Sequence, residues 1–283
     1  MKLSIVIPAI GRQSDIDDTL VSVLENRPKD SEVLLVHPSS YVDPYQLDDE
    51  IRLVSSDGSD RLALLNQGFS ASTGNAIHTL SPGLIAEHGW CDAALDAFEQ
   101  NANIGSLSPG MFVGRSKKPV RGLAYQVGRG KQIARKKNQR VICPLADCGF
   151  YLRRAVNFMH GFDREFGYLA DIDLGLRMLS ANYRCVSNLE MPLRCRKKLP
   201  AERATGYAAG LARGRLYRRA KRMDLASAGE AWSALIAEPL RHGIGLGIFT
   251  GPIGRLASGW SRRSTEVRKL EPTEQATRDR RAA

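Results

Sequence analysis

The chain has 283 residues, 43% hydrophobic and 25% charged, which suits one sizeable α/β domain with an appendage or two small domains. Its five cysteines contain no C-x-x-C pair and no zinc-like spacing, so a disulfide framework and a structural zinc site are both excluded, and reduced cytosolic thiols are expected. The formal net charge is +11 and is unevenly spread, which directs attention to anionic partners.

The chain opens on LSIVIP, residues 3–8, a short apolar run of the kind that forms a buried parallel strand. That run is too short for a signal-peptide core and Arg12 follows at once, so the start has cytosolic character. Residues 15–24 read as an amphipathic helix, with Ile16, Leu20 and Val23 or Leu24 on one face. Residues 32–36 and 51–54 predict a second and a third strand. Residues 62–71 predict another helix, and a Thr73-Gly74-Asn75 turn leads to a fourth strand at 76–80. A helical pattern runs from Trp90 through Leu95 and Phe98, and Trp90 is read there as core packing. Strands alternating with helices imply right-handed crossovers and a mainly parallel sheet. Ligands of such sheets sit at the carboxyl ends of the strands.

Between Gln100 and Ala146 there is no acidic residue, yet Arg115, Lys117, Lys118, Arg121, Arg129, Lys131, Arg135, Lys136, Lys137 and Arg140 all fall there. A strand is predicted over 148–152, followed by a break at Gly161. Asp171 and Asp173 then arrive just as Leu174, Met178 and Ala181 mark a buried helix face. Asp171 stands where an N-cap would stand, with an outer oxygen able to face a cleft, a geometry that suits a general base. The plainer reading is that Asp171 is a helix cap and Asp173 an exposed first-turn acid. His37, His78, His88, His160 and His242 show no metal-ligand spacing.

A second basic block spans 194–222, with Glu202 its only acid, and residues 201–223 are helical in composition. Residues 226–240 form another helical pattern. Residues 242–260 are apolar, glycine-rich and interrupted by Pro252 and Arg255. They are too short for a spanning helix and suit either an interfacial contact or a packed hairpin. Residues 262–283 read as a disordered tail. The expected organisation is a catalytic-type domain at 1–195, a basic helical extension at 196–261 and that tail.

Several of these segments carry a resemblance. G-F-D, then A-D-I-D-L-G-L-R and A-N-Y-R-C-V, is similar to the acceptor-side signature of family-2 glycosyltransferases, whose fold is the Rossmann-like GT-A. Ala170 replaces the family's Glu and His160 its first Gly, while Asp171, Asp173, Leu174 and Arg177 match. S-I-V-I-P, E-V-L-L-V, A-I-H-T-L and Asn66-Gln67-Gly68 resemble the family's nucleotide-binding half in the right order. The similarity covers residues 1–187.

The resemblance implies an α/β GT-A sheet flanked by helices, with Asp171 and Asp173 as candidate catalytic carboxylates and Asp171 as the base. Candidate nucleotide-sugar contacts are Pro8, Ala9 and Arg12 after the first strand, His37 and Ser39 after the second, Asn66 in the following helix, and Ser81 and Gly83 after the fourth. The chain departs from the family on the donor side. His37-Pro38 replaces a base-contacting Asp, Leu65 replaces an Arg, and Ser81-Pro82-Gly83 replaces the metal-binding Asp-x-Asp. Serine and glycine do not make a divalent-ion site, so no metal cofactor is expected. Arg115, Lys117, Lys118, Arg135, Lys136 and Lys137 are the candidates to meet the donor diphosphate instead.

The expected function is sugar transfer from a nucleotide-sugar donor to a glycan or lipid-linked acceptor, in the cytoplasm or at the inner face of an anionic membrane. The alternative is an inactive pseudoenzyme of the same fold, used to bind a glycan or a protein partner. Nucleic-acid binding rests on charge alone and is set aside, because no recognition helix or aromatic-interleaved basic strand supports it.

Overall fold

The computed structural model describes residues 1–44, 50–196 and 206–226. The predicted helix over 226–240, the apolar stretch 242–260 and the tail 262–283 lie outside the described residues.

The first half forms strands and helices in alternation: β1 (Leu3–Pro8), α1 (Gln13–Asn26), β2 (Ser31–Pro38), β3 (Arg52–Ser56), α2 (Arg61–Ala71) and β4 (Ala76–Thr79). The predicted elements appear here with ends shifted by a few residues. β1 is buried along its whole length because helices cover both faces of the sheet. In α1, Ile16, Leu20 and Val23 face the core at helical spacing. In α2, Asp60 caps the first turn by accepting from the Leu62 and Ala63 amides at 3.1 Å each.

The second half comprises β5 (Leu84–Ala86), α3 (Asp92–Gln100), β6 (Ile104–Val113), β7 (Gly122–Gln126), β8 (Gly130–Ala134), β9 (Phe150–Leu152), α4 (Arg153–Phe158), a 3₁₀ segment (Arg164–Leu169), α5 (Ala170–Ser180), β10 (Arg184–Cys195) and α6 (Tyr207–Lys221). Helix α3 starts at Asp92 rather than Trp90, and Trp90 is fully buried, as its packing role requires. Within the basic stretch expected to be helical over 201–223, Tyr207–Lys221 is helical as α6.

One eight-stranded sheet runs in the order β3-β2-β1-β4-β9-β6-β10-β5, and β7 pairs with β8 as a separate ribbon. β9 and β5 run against the other six strands, so the sheet is mixed and mostly parallel, as expected. β6, β10 and the ribbon were not foreseen in the sequence. β6 reads IGSLSPGMFV, too rich in Gly, Ser and Pro to look like a strand. It is held between β9 and β10, and its glycines fit close neighbours: a Cβ on Gly105 would lie 2.7 Å from that of Tyr183. Tertiary pairing overrides propensity there.

The order of winding fixes where a ligand can sit. The chain moves outward from β1 to β2 and β3, then α2 carries it back across to β4 on the other side of β1. The carboxyl ends of β1 and β4 therefore flank the topological switch point, the usual crevice of such a sheet.

Candidate active site

The predicted donor-side positions other than Asn66 lie at or just after the carboxyl ends of β1, β2 and β4. The Ala9 amide donates to the Val36 carbonyl at 2.7 Å, which continues the β1–β2 ladder past Pro8. Gly83, with φ at +89°, donates to the Asp15 carbonyl at 3.1 Å and to Thr19 Oγ1 at 2.9 Å, so the segment after β4 is fastened to α1. Arg12 occupies the N-cap position of α1 with its side chain facing solvent and making no capping hydrogen bond. Its guanidinium lies 3.1 Å from Asp15, which pushes its pKa up. His37 Nδ1 lies 2.9 Å from the Pro38 carbonyl and its ring tilts against Tyr41, while Ser39 is exposed in the turn beyond β2.

The β4–β9 pairing runs past the ends of both strands. Thr79 N donates to the Gly149 carbonyl at 2.9 Å and Ser81 N to the Asp147 carbonyl at 2.8 Å, so Asp147 faces Ser81. The Ser81 hydroxyl donates to Asp147 Oδ1 at 2.7 Å, and Arg61 donates to Asp147 Oδ2 at 2.8 Å. Neither Arg61 nor Asp147 stood out in the sequence. A signal was present, because Asp147 is the first acid after the long acid-free stretch.

Ser81-Pro82-Gly83 occupies the place of the family's metal motif. The nearest carboxylate, Asp147, is engaged by a guanidinium and a hydroxyl rather than turned toward a vacant coordination shell. Among the described residues no cluster of three His, Cys, Asp or Glu side chains could hold a metal. A divalent ion wants several oxygen ligands converging without a competing cation, and this donor set does not fit one.

The acceptor-side carboxylates sit on α5, whose N-cap is Leu169 rather than Asp171. Asp171 is the second helical residue and only 5% exposed, so the expectation that it is the N-cap needs correction. The preceding 3₁₀ segment, capped by Asp163 at the Glu165 amide, displaces the cap and rolls Asp171 inward. There Asp171 Oδ2 lies 3.4 Å from the Lys131 ammonium, which the ribbon strand β8 delivers. Lys131 also lies over the Tyr168 ring, 5.4 Å from its centre. Lys131 was one basic residue among many in the sequence; the ribbon alone selects it.

Asp173 is not an exposed acid. It is fully buried, accepts from Arg177 Nε at 2.7 Å one turn along α5, and accepts from Arg219 of α6. Arg177 also donates to the carbonyls of Met159 and Gly161, the latter at 2.7 Å. Burial pushes the Asp173 carboxyl up and the Arg219 guanidinium down, each against the pull of its partner. Both oxygens of Asp173 are thus committed to arginines, and the residue ties α5, α6 and the Met159–Gly161 turn together.

Asn66 also has a structural partner. Its side-chain oxygen accepts from the Phe162 amide and its nitrogen donates to the Phe162 carbonyl, both at 2.8 Å. Gly161 makes this possible: its φ is +68° and a Cβ there would lie 2.5 Å from Asn66 Oδ1. The helix motif and the G-F-D motif are therefore two halves of one clamp.

Arg115, Lys117, Lys118, Arg135, Lys136 and Lys137 are all exposed. Arg135 donates to the Lys118 carbonyl at 3.1 Å and Arg121 to the Lys136 carbonyl at 2.9 Å, so the ribbon's base gathers both runs into one basic patch. Arg135 follows Lys131 by four positions, which places this patch about 13 Å along the ribbon from Lys131.

Comparison with known proteins bears on the fold. No curated protein matches the chain. Among solved structures, TarS residues 1–349 of S. aureus, in complex with UDP-GlcNAc, is 14% identical with a TM-score of 0.63, covering 91% of this chain and 80% of that one. The mannosyltransferase PcManGT of Pyrobaculum calidifontis, with GDP-Man and Mn²⁺, is 14% identical with a TM-score of 0.54, covering 99% and 80%. GalNAc-T7, with UDP, GalNAc and Mn²⁺, is 11% identical with a TM-score of 0.61; 77% of this chain matches, spanning 48% of that protein. At such identities the likeness shows the GT-A fold. The model of glycosyl transferase family 2 matches residues 4–158, more than half of the sequence, and the chain belongs to that family.

Proposed function

We propose that the chain transfers a sugar from a nucleotide-sugar donor to a hydroxyl group of a glycan or lipid-linked acceptor, with Asp171 as general base. The acceptor oxygen forms the new bond to the anomeric carbon and its proton passes to the carboxylate. The old bond's electron pair leaves with the nucleoside diphosphate. The observation that carries this reading is Asp171 itself, held on the first turn of α5 beside Lys131. A carboxylate fixed in orientation needs no reorganisation when the proton moves.

Pro8, Ala9, His37, Ser39, Ser81 and Gly83 border the switch-point crevice and suit the nucleotide, while Asn66 acts through the Phe162 turn and Asp173 through its arginines. The basic patch at the ribbon's base suits an anionic acceptor or membrane surface. No described helix is long and apolar enough to cross a membrane. A second reading, a binding module without activity, is favoured by the burial of Asp171 together with the loss of the metal carboxylates.

A thermal-shift screen with UDP-, GDP-, CMP- and dTDP-sugars, with and without Mn²⁺, decides between them. Stabilisation by one donor class supports transfer, and the same donor then serves in an activity assay. Asp171→Asn is expected to lower turnover about 100- to 10,000-fold while leaving donor affinity intact. No stabilisation by any nucleotide would leave the module reading standing alone.

A further inference from the structure

The position of the missing metal motif is not merely short of metal ligands; a protein cation stands beside it. Arg61 is anchored to Asp147, and Asp147 is anchored in turn to Ser81, the first residue of the replaced motif. Both side chains are about one-fifth exposed, Arg61 at 20% and Asp147 at 21%. The pair is therefore partly open to solvent just past the carboxyl end of β4, unlike the sealed Asp173 network.

Helix energetics do not account for Arg61. It is the first residue of α2, where the helix dipole disfavours a cation and favours an anion. Its chemistry matches the position instead. A guanidinium carries five N–H donors in one plane, so it can hold a carboxylate and still address phosphate oxygens, with bidentate geometry. A divalent ion between two carboxylates is neutral towards the protein and presents a localised positive face to the phosphates. A guanidinium paired with the Asp147 carboxylate likewise sets a positive charge against a negative one.

We infer that Arg61 is the built-in cation that receives the donor's diphosphate, with Asp147 and Ser81 as the brace that fixes its orientation, so that donor binding at this site is independent of metal. The inference rests on the donor reading above and assigns its leaving-group side to a residue outside the basic ribbon. When the sugar–diphosphate bond breaks, the negative charge that develops on the β-phosphate falls to Arg61 rather than to a divalent ion.

The test is calorimetric titration of the full chain with UDP and with GDP, in EDTA and in Mn²⁺. Wild-type protein is expected to bind one of them equally well in both conditions. Arg61→Gln should weaken that binding about 10- to 100-fold, and Arg61→Lys should weaken it less, because it keeps the charge but loses the fork. UMP or GMP should lose less affinity than the matching diphosphate. Circular dichroism checks the fold of both variants, and the wild-type EDTA arm requires no variant at all. Binding that vanishes in EDTA, or Arg61→Gln binding within twofold of wild type, overturns the inference and leaves the donor reading intact. Wild-type protein that binds neither nucleotide in either condition overturns the donor reading and this assignment with it.

Discussion

Asp171 and Asp173 stand two residues apart on α5, yet their surroundings separate them. Asp173 answers to two arginines in a fully buried site, so Asp173→Asn leaves guanidinium charge buried without its carboxylate. The expected loss is roughly 3–5 kcal/mol of unfolding free energy, read from urea denaturation. Asp171→Asn should cost far less stability and act on turnover instead. Equal destabilisation by the two variants would mean that both carboxylates are structural.

His78 offers a separate residue-scale test. It is buried on β4, its ring stacked at 3.7 Å on Phe150 across the sheet, and its Nδ1 donates to the Gly149 carbonyl at 3.1 Å. Burial lowers its pKa from 6.5 to about 3. An imidazole that stays neutral when folded but takes up a proton when unfolded costs stability as pH falls from 6.5 towards 3, and costs nothing above 6.5. Between pH 7 and pH 4.5 the wild type should lose about 3 kcal/mol more than His78→Phe, a stackable ring that cannot titrate. Denaturation curves at the two pH values measure the difference, and parallel losses would refute the assignment.

At the scale of elements, close approach of backbone decides more than side-chain pattern. α2 lies so near β1 that a Cβ on Gly68 would sit 2.2 Å from Val6 Cγ1. Gly68→Ala must therefore push the helix off the strand. It is expected to lower stability by about 1–3 kcal/mol despite alanine's better helix propensity, as chemical denaturation would register. Helix α6 docks on the 3₁₀ segment and α5 through Arg213 to the Tyr168 hydroxyl at 2.9 Å, Arg215 to Glu165 at 2.7 Å, and Arg219 to Asp173. Part of the basic block that reads in the sequence as an appendage is thus a partner of the carboxylate helix. On that side Arg215 and Arg219 meet acids of the domain, and Arg213 meets a tyrosine hydroxyl.

For the whole molecule, a net charge of +11 includes one patch where the ribbon's base gathers two cationic runs. Binding to vesicles with anionic headgroups should be strong at low salt and fall steeply by a few tenths molar, while neutral vesicles should bind weakly throughout. Replacing Arg135, Lys136 and Lys137 by Gln should weaken the low-salt binding about 10- to 100-fold in a co-sedimentation assay. Salt-insensitive binding, or none, would remove the membrane surface from the proposed partners.

Chain-local patterns carried much of this molecule. Alternation of apolar strands with amphipathic helices fixed the GT-A sheet's first half, because those strands are buried on both faces and must read as continuous apolar runs. The family signatures and the loss of Asp-x-Asp were equally legible, since they are contiguous residues. The remainder depended on contacts between residues far apart in the chain. Propensity argues against β6 as a strand, and only its neighbours make it one. Lys131 reaches Asp171 across 40 positions, Arg61 reaches Asp147 across 86, and Asp173 reaches Arg219 across 46. A side chain's partner is set by which elements the sheet order brings together. Local sequence therefore named Asp171, Asp173 and the basic stretches, whereas Arg61 and Asp147 emerged only from the tertiary structure, which also decided which charged groups meet.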